Sequence, residues 1–161
     1  MDDLYAKLLQ SSIRFVSFRP RSEKEFKYFL LKKLARFSVI PAQAGIQLSV
    51  IDRVILRLRD LGYADDAKFV SWWINQRQSH KPKGMRLIAQ ELKDKGIEVR
   101  DLKLDEDVLA RQVVAKKLPL WEKLPPFERK KKIYGFLGRR GFDADTIHRV
   151  IDGVLDDEIE S

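Results

Sequence analysis

The chain has 161 residues, a formal net charge of +8, 44% hydrophobic and 35% charged residues, and no cysteine. The apolar share excludes a disordered chain, and the missing cysteine excludes disulfides, thiol chemistry and cysteine-ligated metals. No apolar run approaches the roughly 20 residues that span a bilayer, and the acidic start Met1-Asp2-Asp3 has no secretory-leader pattern, so a cytoplasmic protein with no membrane partner is expected.

Leu4, Leu8, Leu9, Ile13 and Val16 recur at helical spacing and predict an amphipathic first helix within residues 1–18. Arg19-Pro20-Arg21 breaks it. Ser22 and Glu25 then have the spacing of a capping box, ahead of a helix with Phe26, Phe29, Leu30, Leu34 and Phe37 on one face. Residues 38–51 carry no charge and include Pro41 and Gly45, which reads as a loop or insertion. Ile51, Val54, Ile55, Leu58 and Leu61 line the next helix. Gly62 stops it, because glycine takes the left-handed C-terminal conformation without a Cβ penalty. Tyr63 can fold back on the last turn, and Asp65 can cap the helix of Phe69, Val70, Trp73 and Ile74.

Residues 79–84 read as a short, basic, hinge-like linker broken by Pro82. Met85, Ile88, Ala89 and Leu92 line a short helix that stops at Gly96. Asp105 can cap a helix carrying Val108, Leu109, Val113 and Val114. Pro119, Pro125 and Pro126 punctuate the passage to a helix lined by Ile133, Phe136 and Leu137. After Gly141 a last helix carries Ile147, Val150, Ile151, Val154 and Leu155, and the acidic residues 156–160 are expected to fray.

The pattern of helix, glycine, apolar residue and next helix occurs at Gly62, Gly96 and Gly141, at intervals of about 34 and about 45 residues. That is the range of degenerate helical repeats. No strand or hairpin signal competes. The fold class is all-α, one helical unit used about three times. It divides into an N-terminal helix (1–18), a first unit (19–80), a second unit (81–118) and a third unit with the acidic tail (119–161).

Catalytic signals are lacking. His80 and His148 lie in a linker and on a helix, without convergent partners. Asp65-Asp66 and Asp105-Glu106-Asp107 stand at helix starts, where capping and the helix dipole account for them. No glycine-rich phosphate loop and no nucleophile–base pair is present. The chain reads as a binder with no catalytic residue, no cofactor and no metal. Trp73 shares a stripe with Phe69, and Trp72 falls at an edge. Packing between helices is the expected role of both, with stacking on a base as the competing reading for Trp72, and Trp121 is expected to pin the linker.

The basic residues carry more information. Lys81, Lys83 and Arg86 surround the first linker, and Lys116 and Lys117 end the second unit. Arg129, Lys130, Lys131 and Lys132 open a helix of the third, where Lys130 to Lys132 are cations that oppose the helix dipole, and Arg139 and Arg140 close it, where they suit it. These eleven residues are the candidate contact surface for an anionic partner, nucleic acid first. A merely solvated face is the competing reading.

Five motifs in order complete the reading. They are Arg21-Ser22-Glu23-x-Glu25-Phe26; Leu61-Gly62-Tyr63-x-Asp65-Asp66-x-x-Phe69-Val70; Lys83-Gly84; Ile88-x-x-Glu91-Leu92-x-x-Lys95-Gly96-Ile97; and Phe136-Leu137-x-x-Arg140-Gly141-Phe142. Together they resemble the RecX family, bacterial regulators of the RecA recombinase, over nearly the whole chain. The resemblance implies an elongated, curved array of three tandem three-helix units. It implies a monomer that binds the RecA–single-stranded DNA filament and mostly inhibits its ATPase, strand-exchange and co-protease activities. Single-stranded DNA, and double-stranded DNA as a further candidate, are the implied nucleic-acid partners. No catalytic residue carries over. The uncharged stretch 38–49 departs from the family pattern. Two other classes compete: a sequence-specific helix-turn-helix DNA-binding protein, and a helical protein-interaction scaffold that never touches DNA.

Overall fold

The computed structural model describes residues 2–36, 44–99 and 104–159. Among the described residues it is entirely helical, with nine helices: α1 (Asp2–Val16), α2 (Glu23–Ala35), α3 (Ala44–Asp60), α4 (Asp66–His80), α5 (Met85–Asp94), α6 (Glu106–Ala115), α7 (Leu118–Trp121), α8 (Pro126–Arg139) and α9 (Ala144–Ile159). The chain forms two compact units, one of Met1–Trp73 with Asp94–Ile97, the other of Ile74–Lys93 with Glu98–Ser161.

In the first unit α1, α2 and α3 enclose a core of Leu8, Phe26, Leu30, Leu34, Val50, Ile51, Val54, Ile55 and Leu58. Removing each such side chain from water contributes about 1.5–3 kcal/mol. The capping box is complete: the Ser22 hydroxyl accepts the Glu25 amide at 3.3 Å and Glu25 Oε2 accepts the Ser22 amide at 3.2 Å. The stretch expected to be a loop is helical from Ala44, and Val50 and Ile51 are buried in the core. Packing outweighs the weak helix propensity of Gly45, Val50 and Ile51 there. Residues 37–43, including Phe37 and Pro41, lie outside the described residues. Leu61, expected in the α3 stripe, is 40% exposed, because the chain has already begun to turn. Gly62 ends α3 at φ +72°, and the Tyr63 amide donates back to the Leu58 carbonyl at 2.8 Å, while the Tyr63 ring stays exposed.

In the second unit α6, α8 and α9 enclose Ala110, Val113, Val114, Ile133, Leu137, Phe142, Ile147, Val150 and Ile151. The stripe on α6 is rotated from the expected one: Ala110 is buried and Val108 is 48% exposed. The linker of Trp121 contains a single helical turn, α7, and the Trp121 ring meets Phe136 edge-on at 5.5 Å. Gly84 is no free hinge: it is buried, and its amide donates to the Arg140 carbonyl at 2.9 Å. The last helix extends to Ile159, through most of the acidic stretch. Gly96 and Gly141 have φ +82° and +84°, as their place in the repeat requires.

Candidate nucleic-acid interface

All eleven basic candidates belong to the second unit, and the structure sorts them by what they touch. Three are held within the unit. Lys83 pairs with Glu91, which Arg77 also reaches at 2.7 Å. Arg129 is 7% exposed, and its Nη2 donates to the carbonyls of Glu122 at 2.8 Å and Leu124 at 3.1 Å. Arg140 lies 4.7 Å over the Phe136 ring and donates from Nη1 to the Pro82 carbonyl at 3.1 Å.

The others face outward. Lys81 is exposed just past α4, Lys116 is exposed at the C-cap of α6, and Lys117 is half-buried before α7. Arg86 is exposed and makes one long contact to the Gly138 carbonyl, 3.4 Å. Lys130, Lys131, Lys132 and Arg139 are exposed on α8. Among the described residues no carboxylate pairs with Lys130, Lys131 or Lys132. Because α8 begins at Pro126, these lysines sit beyond its first turn, and dipole repulsion, which fades within a turn, does not act on them as expected. The first turn holds the carboxylate of Glu128 and, at its end, Arg129.

Two aromatic residues that the sequence reading passed over stand beside them: Phe127 is 74% exposed and Tyr134 is 46% exposed. Their signal was available as spacing. Residues 127, 131 and 134 fall on one side of a helix, while Arg129, Ile133 and Leu137 fill the other.

The carboxylates are engaged structurally. Asp65 Oδ1 accepts the Lys68 amide at 3.0 Å, which holds its pKa below the usual range. Asp66 Oδ1 accepts the Glu23 amide at 2.9 Å. A groove of about 550 Å³ in the second unit gathers Asp105, Glu106, Asp107 and Asp143 with Arg149. Asp105 caps α6 through the Val108 amide at 3.1 Å, and Glu106 accepts the Met85 amide. Asp107 takes Arg149 through both oxygens, and Asp143 takes the Thr146 amide at 2.7 Å. No group of three His, Cys, Asp or Glu able to hold a metal occurs among the described residues. His80 is exposed at the end of α4, and His148 lies 5.8 Å from the Tyr134 ring. Trp72 and Trp73 pack on Phe69 at 5.8 and 5.5 Å, with Arg19 over the first and Lys95 over the second. No helix among the described residues is long and apolar enough to cross a membrane.

The fold and this surface define an all-α helical-repeat protein with a basic face. Two family models match it: one described as RecX, second three-helix domain, over residues 65–100, and one described as RecX, third three-helix domain, over residues 105–151. The regulatory protein RecX of Escherichia coli (strain SE11) is 33% identical, over 91% of this chain and 90% of its own. That of Chlorobium phaeobacteroides (strain BS1) is 31% identical, over 92% and 94%. The crystal structure of RecX from Lactobacillus salivarius has the same fold, with a TM-score of 0.74 at 20% identity over 95% of this chain and 97% of that one. The chain belongs to the RecX family of regulatory proteins.

Proposed function

We propose that this protein binds the RecA–single-stranded DNA filament in the cytoplasm and restrains it, lowering ATP hydrolysis, strand exchange and co-protease activity. It works there by binding, with no chemistry of its own, in DNA repair and the SOS response. Membership of the RecX family supports the partner. The observation that carries the mode of contact is the exposed run Lys130, Lys131 and Lys132, which lacks a carboxylate partner among the described residues. Together with Lys81, Arg86, Lys116 and Arg139 it offers cations to a polyanion. The helix-turn-helix reading fares worse. Asp65 and Asp143 cap α4 and α9, and Asp66 and Asp145 stand in their first turns, carboxylates that repel a phosphate backbone at the end that would enter a groove.

The test is RecA ATP hydrolysis on single-stranded DNA as the protein is added below one molecule per RecA. Inhibition is expected at substoichiometric amounts. Unchanged hydrolysis with DNA binding intact would remove RecA as the partner. Inhibition without any DNA binding at low salt would support the protein-only scaffold.

A further inference from the structure

The outward face of α8 alternates aromatic and cationic side chains. Phe127 comes first, then Lys130 and Lys131, then Tyr134, at the i, i+3, i+4 and i+7 spacing that places residues on one side of a helix. All four are exposed, Phe127 to 74% and Tyr134 to 46%. The opposite side of the helix holds Arg129 and Ile133 against the unit, and neither outward ring joins the core, although His148 lies 5.8 Å from the Tyr134 ring. Gly138 follows one turn later on the same face. A methyl group there would meet nothing within 4 Å, so packing does not require glycine, although glycine weakens a helix relative to alanine. The bare position leaves the face open to close approach.

We infer that this face of α8 is a base-stacking platform for single-stranded nucleic acid, with Phe127 and Tyr134 taking bases and Lys130 and Lys131 taking phosphates. The inference rests on the DNA contact proposed above and adds what selects a single strand. Cations alone attract any polyanion and do not tell single from double strands. Exposed ring faces do, because only an unpaired strand has bases free to stack, and aromatic residues within a basic groove are how single strands are held without sequence preference. The rings lie about 10 Å apart along the axis, so they take different bases. The ladder of ring, cation, ring corresponds to the alternation of base and phosphate along a strand.

The test uses the full chain and two labelled oligomers of equal length, oligothymidylate and an abasic strand with the same phosphates, followed by fluorescence anisotropy at low salt. The wild-type protein is expected to prefer oligothymidylate. Phe127→Leu and Tyr134→Leu keep apolar bulk but remove the ring face. Each should weaken oligothymidylate binding roughly fivefold, the lower end of what stacking gives, and leave abasic binding unchanged. Phe127→Trp should retain or strengthen it. Lys131→Glu should weaken both oligomers alike. Circular dichroism melting of each variant shows that the fold is kept. Equal wild-type binding of the two oligomers, or Leu variants that bind oligothymidylate like wild type, overturns the platform while the cationic contact stands. Wild-type protein that binds neither oligomer overturns the platform too, and the RecA hydrolysis assay then decides whether a protein contact alone explains the regulation.

Discussion

Gly84 and Gly141 touch backbone to backbone: a Cβ built on Gly84 would lie 2.3 Å from the Gly141 carbonyl oxygen. The start of α5 is thereby seated on the turn between α8 and α9. Gly84→Ala has to push two backbones apart, and a loss of about 2–3 kcal/mol is expected. Gly62→Ala is the control. Its φ of +72° is strained for alanine, but the nearest atom is the Lys68 ammonium at 3.6 Å, so only the left-handed penalty of about 1–2 kcal/mol applies. Urea midpoints should fall in the order wild type, Gly62→Ala, Gly84→Ala; the reverse order would show that the two backbones yield easily.

Arg129 and Lys131 are two residues apart and should behave as opposites. Arg129→Ala leaves the Glu122 and Leu124 carbonyls without their donor and should lower stability by about 2 kcal/mol. Lys131→Ala is a surface change that should move stability by less than about 0.5 kcal/mol. It should instead flatten the salt dependence of single-strand binding, reducing the slope of log K against log salt by about 0.7, one phosphate's share. Melting curves and a salt titration on the same two variants separate the roles. A stable Arg129→Ala protein with a reduced slope would move Arg129 to the DNA-facing side.

That pair also shows where the sequence stops being legible. Residues 129–132 read as one basic run, yet a helix turns about 100° per residue and sends the first of them inward. Charge composition does not mark the difference, although the buried positions of Ile133 and Leu137 on the same helix do. The glycine stops at Gly62, Gly96 and Gly141 were readable because a positive φ leaves few alternatives to glycine. The helix from Ala44 was not, because an uncharged segment has no polar face against which to see a stripe. Gly84 falls in a stretch that reads as a hinge from sequence, since a close backbone approach and a flexible joint ask for the same residue.

Ser22 links two motifs that stand far apart in the sequence. Its hydroxyl is fully buried, accepts the Glu25 amide and donates to the Lys95 carbonyl at 2.8 Å. Beside it, a Cβ on Gly96 would lie 2.9 Å from the Lys24 Cβ. Ser22→Ala therefore removes a helix cap and strands a carbonyl. A loss of about 2 kcal/mol is expected, above the roughly 1 kcal/mol of an ordinary cap. Thermal melting beside Asp105→Ala, a cap that takes the Val108 amide alone among the described residues, checks this. Equal losses would mean that the Lys95 contact contributes nothing.

Glu25 and Glu106 should give stability opposite dependences on pH. Burial pushes Glu25 upward, but hydrogen bonds from Arg19, Lys95 and the Ser22 amide outweigh it and hold its pKa below the carboxylate range. A depressed carboxyl adds stability above the unfolded value, near 4.3, and loses it as pH falls through the folded one. Glu25→Gln should therefore be less stable than wild type at about pH 7, with the gap closing below about pH 4. Burial, helped by the neighbouring Asp143 carboxyl, pushes Glu106 up, while the Thr146 amide and Glu106 itself hold Asp143 down. A raised carboxyl favours the fold below the unfolded value, and that contribution is lost as pH rises through the folded value. Glu106→Gln keeps an oxygen for the Met85 amide and supplies a permanent donor to Asp143 in place of the titrating proton. It should melt above wild type at about pH 7 and converge with it in acid. A Glu106→Gln protein that melts lower than wild type at neutral pH would sink the shared-proton account of this pair.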